Sequence, residues 1–516
     1  MNSRVPDFIP GYGAVRPFAG AFANLGRITR APVQVWSARP GAAKVLPSIR
    51  AAIEACELKD GATVSFHHHL RNGDNVLNAV MAEIAALGLR DIKIAASSLF
   101  PVHAPLVQHI RSGVVTGIAT AYMAGPVAEA VAKGWLATPV VMQTHGGRAR
   151  AIECGDVRID VAFVAAPVAD TYGNLNGVDG KSACGTLGYP MVDVKHAARV
   201  VALTDTLVPY PACPIDISQH DVDYVVAVDS IGDPRQIVSG ITRITNKPEG
   251  LKIAATAARV IEASGLLENG FSFQTGAGGV SLAAAACLKN IMASKGIIGS
   301  FAAGGITGTI VEMLEAGLFR TLLDVQCFDL KAVDSYRRHP AHQSMSASMY
   351  ANPHNRGAVV NQLDVMILGA AEIDLDFNVN VMLGSSGLII GGSGGHSDTA
   401  AGAKLALVTT QLAARTHPKI VDRVASVTTP GETIDVVVTE EGVGVNPRRL
   451  DLSDRLVSQG IPLLSIEELR DKAKGSAGET AVVRPAGSGR IVAAAEYRDG
   501  TVIDVVEGLE RPERAA

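Results

Sequence analysis

Several things are scarce in this sequence, and each scarcity excludes a class of protein. No apolar run approaches the roughly 18 residues that a membrane-spanning helix needs. The first residues, MNSRVPDFIPGYGAV, lack the apolar core of a secretion signal. Aromatic residues make up only 4 % of the chain, and the formal net charge is −4. No basic surface for nucleic acid is therefore expected. The 6 cysteines are scattered at Cys56, Cys154, Cys184, Cys213, Cys287 and Cys327, and none forms a C-x-x-C pair. They read as buried thiols in a reducing compartment, and no metal site is expected. The expectation is a soluble, cytoplasmic protein.

What is present is apolar residues, at 47 %, and glycine, at 53 of 516 residues. Length alone suggests roughly two to four domains. The chain also repeats itself. AIEACELKDGATVSFHHHLRNGD (52–74) and VIEASGLLENGFSFQTGAGGVS (260–281) each read as helix, turn and short strand ending in a polar loop. DVAFVAAPVADTYGNLN (160–176) lies over DVMILGAAEIDLDFNVN (364–380) without a gap, and Asp170/Asp374, Asn174/Asn378 and Asn176/Asn380 coincide. A looser pair sets VVTGIATAYMAGPVAEAVAKG (114–134) against IIGSFAAGGITGTIVEMLEAG (297–317). Near-continuous apolar strands alternate with helical segments, which argues for mostly parallel sheets covered on both faces. The fold expected is two tandem, duplicated α/β domains, 46–245 and 246–475. An N-terminal arm (1–45) would precede them, and a linker with a C-terminal hairpin turning at Asp499-Gly500 (476–516) would follow.

Ligands of such sheets sit beyond the carboxyl ends of the strands, where the conspicuous loops fall. The run His67-His68-His69 raises the question of a metal. The matching loop offers Gln274, Thr275 and Gly276, which have no metal character, so anion or substrate contact is the favoured reading. His67 and His69 are expected on one side and His68 on the other. Arg71, Asn72 and Gly73 add charge and backbone donors. Gly276, Gly278 and Gly279 lead into a helix whose first N–H groups can hold an anion. Gly391, Gly392, Gly394 and Gly395 precede His396, Ser397 and Asp398 in a second turn that suggests a ligand or a close backbone approach. Arg148 and Arg150, beside Gly146-Gly147, could clamp a polycarboxylate. Asn378 and Asn380 complete the candidate substrate contacts.

In this order, GATVSFHHHLRNGD, HGGRARAIE, IDVAFVAAP, GKSACGTLGYPMVD, QTGAGGVSLA, EIDLDFNVNVMLGSSG and GGSGGHSDTAAGA resemble the alpha subunits of citrate lyase, from about residue 15 to residue 510. More distantly, the halves look like the two-domain CoA-transferase fold. The resemblance implies a citrate CoA-transferase of citrate fermentation. It would exchange citrate with the acetyl thioester of an acyl carrier protein, with acetyl-CoA as a surrogate. Gly278, Gly279, Gly394 and Gly395 would then stabilise the oxyanion. It further implies a beta subunit, a gamma carrier subunit and a homo-oligomer within the complex. No cofactor would be bound covalently to this chain, and the phosphoribosyl-dephospho-CoA arm would sit on the carrier. Many distant relatives use a glutamate nucleophile. The corresponding stretch GSFAAGGITG (299–308) has none, and the nearest acids are Glu312 and Glu315. The resemblance therefore points to direct attack of citrate on the thioester. The alternative is an acyl-CoA transferase using free CoA thioesters and another acid.

Overall fold

The computed structural model describes residues 4–24, 26, 28–33, 37, 39–67, 69–238, 243–477 and 487–509. His68 lies outside them, as does 478–486, the middle of the expected linker.

The first sheet is built from β1 (Val45–Leu46), β2 (Thr63–Phe66), β3 (Ile92–Ala96), β4 (Val115–Thr120), β5 (Val140–Met142), β6 (Val161–Ala166), β7 (Arg199–Thr204) and β8 (Tyr224–Ala227). The second contains β9 (Ser272–Thr275), β10 (Gly299–Ile306), β11 (Phe319–Cys327), β12 (His342–Ser344), β13 (Val365–Gly369), β14 (Leu405–Thr409), β15 (Val436–Val438) and β16 (Val443–Val445). Their shared orders are β5-β4-β3-β2-β6-β7-β8 and β12-β11-β10-β9-β13-β14-β15. These are one topology used twice, and the pairs within both runs are parallel. β6, VAFVAA, is buried throughout, as a strand covered on both faces must be.

Helices used below are α1 (His145–Cys154), α2 (Gly279–Lys295), α3 (Gly308–Glu315), α4 (Leu330–Arg338) and α5 (His396–Gly402). The Thr144 hydroxyl caps α1 by accepting from Gly147 N at 2.7 Å, and Gly155 ends it in the left-handed region at φ +84°.

The structure shifts two of the sequence pairings. Asp160 accepts from Thr63 N at 2.7 Å, and Asp364 accepts from Ser272 N at 2.8 Å. Val64 faces Val161, and Phe273 faces Val365. Thr63 thus corresponds to Ser272 and His67 to Gly276, two residues away from the Ser-Phe match in the sequence. A slip of two preserves the faces of a strand, so pattern alone does not detect it. The looser pair is displaced by a whole unit. β4 occupies the place of β11, and β10 that of β3. Both members of that pair are a strand turning into a helix, and that unit recurs inside each half.

The C-terminal hairpin is not a separate appendage. β17 (Gly487–Glu496) and β18 (Val502–Leu509) pair antiparallel, and β17 joins β5 in parallel to extend the first sheet to ten strands. Gly500 takes φ +82° at the turn. The N-terminal arm lies on this hairpin. Ile9 packs with Ala494, Val502 and Val505, and Phe18 meets the Tyr497 ring edge-on at 5.0 Å. The 6 cysteines are free, but only Cys184 and Cys327 are buried, and Cys213 is exposed.

Candidate functional site at the seam between the sheets

Residues beyond the strand ends of the two halves meet in a seam, and the loop before α5 forms part of it. The Gly394 carbonyl accepts from His145 N at 2.8 Å, while Gly394 N donates to Ala121 O at 3.2 Å. Met123 N donates to Gly391 O at 3.3 Å. A Cβ on Gly392 would strike the Ala121 carbonyl, and one on Gly395 the Tyr350 hydroxyl. Close contact within the chain thus accounts for these glycines directly. Gly394 alone is in the left-handed region, at φ +52°. Asp398, fully buried, carries the join further. It accepts from Thr144 Oγ1 and Gly146 N at 2.9 Å each, and Arg498 of the hairpin turn lies 3.6 Å away. Burial pushes its carboxyl up to about 6. His396 is fixed by Thr429 Oγ1 at 2.8 Å and Gly369 O at 3.1 Å, and burial lowers its pKa to about 4.

Of the expected cationic contacts, Arg71 best fits the role of a binding group at the seam. Its guanidinium carbon stands 5.7 Å from the Phe100 ring of the first half and 4.9 Å from the Phe328 ring of the second. Its Nη1 donates to Ile237 O at 3.3 Å. Lost hydration lowers its pKa, while Tyr122 and Tyr189 act in the opposite direction. The His67 and His69 rings are buried with centroids 4.8 Å apart, so the two share one environment. Gln274 is buried, and its Nε2 donates to Tyr350 Oη at 2.6 Å. A side chain on Gly304 would collide with the Gln274 amide. That amide therefore lies against β10, in the glutamate-free stretch 299–308. Glu312 and Glu315 lie on α3 in ion pairs, Glu312 with Lys289 and Lys331 and Glu315 with Lys331.

Other candidates are engaged elsewhere. Arg148 makes a two-pronged pair with Asp193 at 2.8 and 2.7 Å and donates to Ala95 O at 3.0 Å. Arg150 pairs with Asp156 at 2.7 Å, beside the hairpin turn at Gly500. Asn378 closes a turn on Asp374, as Asn174 does on Asp170. Asn380 donates to Glu372 at 3.0 Å and Leu383 O at 2.8 Å and accepts from Met382 N and Leu383 N. The matched asparagines thus lock the duplicated turns. Asn72 accepts from Val102 N at 3.1 Å on the rim of a groove of about 620 Å³ that also includes Lys181 and Arg235. Gly276 N donates to Ile367 O at 2.8 Å. Gly279 packs on the Arg243 carbonyl, whereas Gly278, at the N-cap of α2, has open space where a side chain would be.

Sequence reasoning passed over His145, Tyr122, Tyr189 and Tyr350. His145 stands in the THGGRARAIE stretch, where attention to charge selects the arginines instead. It opens α1 with its ring 4.9 Å from that of Tyr189, and its Nδ1 is buried without a hydrogen bond among the described residues. Burial, aided by Arg148, lowers its pKa to about 3. Tyr122 follows a strand, Tyr189 precedes the helix Pro190–His196 and Tyr350 lies on the short helix Ala347–Ala351, and none sits in a recognisable spacing.

A duplicated parallel α/β architecture whose halves meet beyond their strand ends defines a protein of the CoA-transferase-like fold class. Within that class the chain belongs to the citrate lyase alpha subunit family, whose model matches residues 42–509. It is 47 % identical to the citrate lyase alpha chain of Klebsiella pneumoniae, over 90 % of this chain and 92 % of that one. Identity to the Escherichia coli (strain K12) citrate lyase alpha chain is 46 %, over 94 % and 95 %. A citrate lyase alpha subunit from Streptococcus mutans, solved in complex with citrate, superposes with a TM-score of 0.95 at 47 % identity, covering 99 % of both chains. A Pseudomonas malonate decarboxylase shares the fold, with a TM-score of 0.63 at 18 % identity over 84 % of this chain and 86 % of that one.

Proposed function

We infer that this chain is the citrate CoA-transferase subunit of a citrate lyase assembly and that exchange takes place in the seam. Family membership supports the reaction class. The single observation that carries the site is Arg71, held between aromatic rings from both halves. A citrate carboxylate approaching that cation attacks the acetyl thioester carbonyl. The tetrahedral oxyanion collapses to a mixed acetic–citric anhydride and releases the thiolate. The thiolate then attacks the citryl carbonyl, forming the citryl thioester and releasing acetate. Both attacking groups arrive as anions, so no protein base is required. Positioning and N–H donors lower the barrier, each well-aimed donor being worth about 3–4 kcal/mol. Gly278 and the first turn of α2 are the favoured donors, because Gly394 N is already bonded to Ala121. His67 and His69 complete the pocket for citrate or for the carrier arm.

A beta subunit, a gamma acyl carrier bearing the phosphoribosyl-dephospho-CoA arm, a homo-oligomeric arrangement and a cytoplasmic setting belong to the same reading, as do functional domains at 46–245 and 246–475. The test is thioester exchange. Purified chain, acetyl-CoA and citrate, succinate or acetate are combined, and acyl-CoA products are resolved by mass. Citryl-CoA formed with citrate alone is the expected result. Succinyl-CoA without citryl-CoA would establish the alternative transferase. Borohydride or hydroxylamine trapping of an acyl group on the chain would overturn direct attack.

A further inference from the structure

Asp324, Cys327 and His342 bring a carboxylate oxygen, a thiol sulfur and an imidazole nitrogen together, all within 4.8 Å of one another. Asp324 and Cys327 lie near the end of β11, and His342 opens the neighbouring β12. All three are at most 2 % exposed. One atom, Asp324 Oδ2, is the focus, with Cys327 Sγ at 3.0 Å and His342 Nε2 at 3.1 Å. The other imidazole nitrogen, His342 Nδ1, is held by Ser335 Oγ of α4 at 3.0 Å. Gln326 N donates to Asp324 Oδ1 at 2.8 Å.

We propose that these three side chains form a three-ligand binding site for a divalent transition ion, zinc by preference. Thiolate, imidazole and carboxylate are together a zinc-type donor set, and magnesium or calcium would take oxygen ligands instead. Ligand bonds of about 2.0–2.3 Å set tetrahedral donors about 3.3–3.7 Å apart, so the two contacts to Asp324 Oδ2 would open by a few tenths of an ångström to admit an ion. The Ser335 bond supplies the outer support that a metal-bound imidazole requires, leaving Nε2 to face the ion. Charge argues the same way. A carboxylate removed from water needs a cation close by; among the described residues its hydrogen-bonding partners include no lysine or arginine, and His342 supplies a charge only when its imidazole is protonated. On binding, the Cys327 sulfur and the Nε2 lone pair ligate the ion, and the thiol proton leaves to solvent; no electron is transferred.

The location gives the site a task. Phe328 follows Cys327 directly and forms one side of the Arg71 slot. The Gly185 backbone of the first half closes on Cys327 Sγ. An ion joining β11 to β12 would hold that wall rigid beneath the seam without touching substrate.

The experiment uses the whole chain, purified without chelators and without citrate, with metals quantified by plasma mass spectrometry. The expected result is about one zinc per chain, falling below about 0.2 in Cys327→Ala and in His342→Ala. Because either variant could fail to fold, a second measurement uses the unaltered sequence. Metal-stripped protein titrated with cobalt(II) should develop the charge-transfer band of a cobalt–thiolate bond. Metal-stripped protein that shows no such band overturns the site, leaving a hydrogen-bonded triad only. Zinc retained in full by both folded variants also overturns it, since the ion would lie elsewhere.

Discussion

At the residue scale the arginines separate by what their heads touch. Arg71 is a partly dehydrated cation at the seam, where its field would act on an entering carboxylate with little screening. Arg71→Gln should raise the KM for citrate by about tenfold or more, a loss of at least about 1.4 kcal/mol, with little change for the thioester. Initial rates with each substrate varied separately test this, and equal effects on both would remove Arg71 from the citrate site. Arg148 is the opposite case. Removing it leaves Asp193 buried without its charge partner, so Arg148→Met should cost about 3–5 kcal/mol in urea unfolding. Its residual activity should show no selective rise in the citrate KM. His145 gives one part of the pH dependence. Its folded pKa is depressed to about 3, so its contribution to stability is complete above the unfolded value and is lost as pH falls. At pH 5 that loss is about 2 kcal/mol relative to neutral pH, given an unfolded value near 6.5. His145→Gln should flatten the stability profile between pH 7 and 5 by that amount, measured by denaturant midpoints.

Elements turn these residues into a seam, and the loop at 391–395 is the decisive one. Gly392→Val drives a branched side chain into the Ala121 carbonyl. Overpacking of this kind costs about 1–3 kcal/mol, and the loop relieves it most readily by moving off β4 and β5. Thioester exchange should vanish while far-ultraviolet circular dichroism stays near that of the parent, because neither sheet depends on the loop. Retained exchange would separate the loop from the site. The same loop marks where the sequence stopped being legible. Buried apolar strands, helix alternation and two matched segments suffice to read a duplicated parallel fold. The four glycines also announce close approach. They do not reveal what approaches, and here it is the backbone and Tyr350 of the same chain. Asn378 and Asn380 mislead for a related reason: identity between the halves reflects a turn that each copy must close. Cys327 and His342 are separated by a helix, and no local spacing links them.

At the scale of the whole molecule the chain ends hold the two halves to each other. The hairpin adds β17 and β18 to the first sheet, yet Asp504 accepts from Val427 N at 2.8 Å and Arg498 donates to Ala351 O at 3.1 Å, both in the second half. The N-terminal arm repeats the pattern. Val502 N donates to Arg16 O at 2.8 Å, and Ala21 N donates to Glu432 at 2.6 Å. Ending the chain after residue 477 would therefore remove three things together: the cover of the β5 edge, the surface on which the arm lies, and the Arg498 charge beside Asp398. An uncovered strand edge is a template for pairing with another chain. The truncated protein should enter higher oligomers in size-exclusion chromatography, and its arm should become the first site of limited proteolysis. A monodisperse truncated chain with a protected arm would mean that the seam holds without the hairpin, through the glycine loop and Asp398.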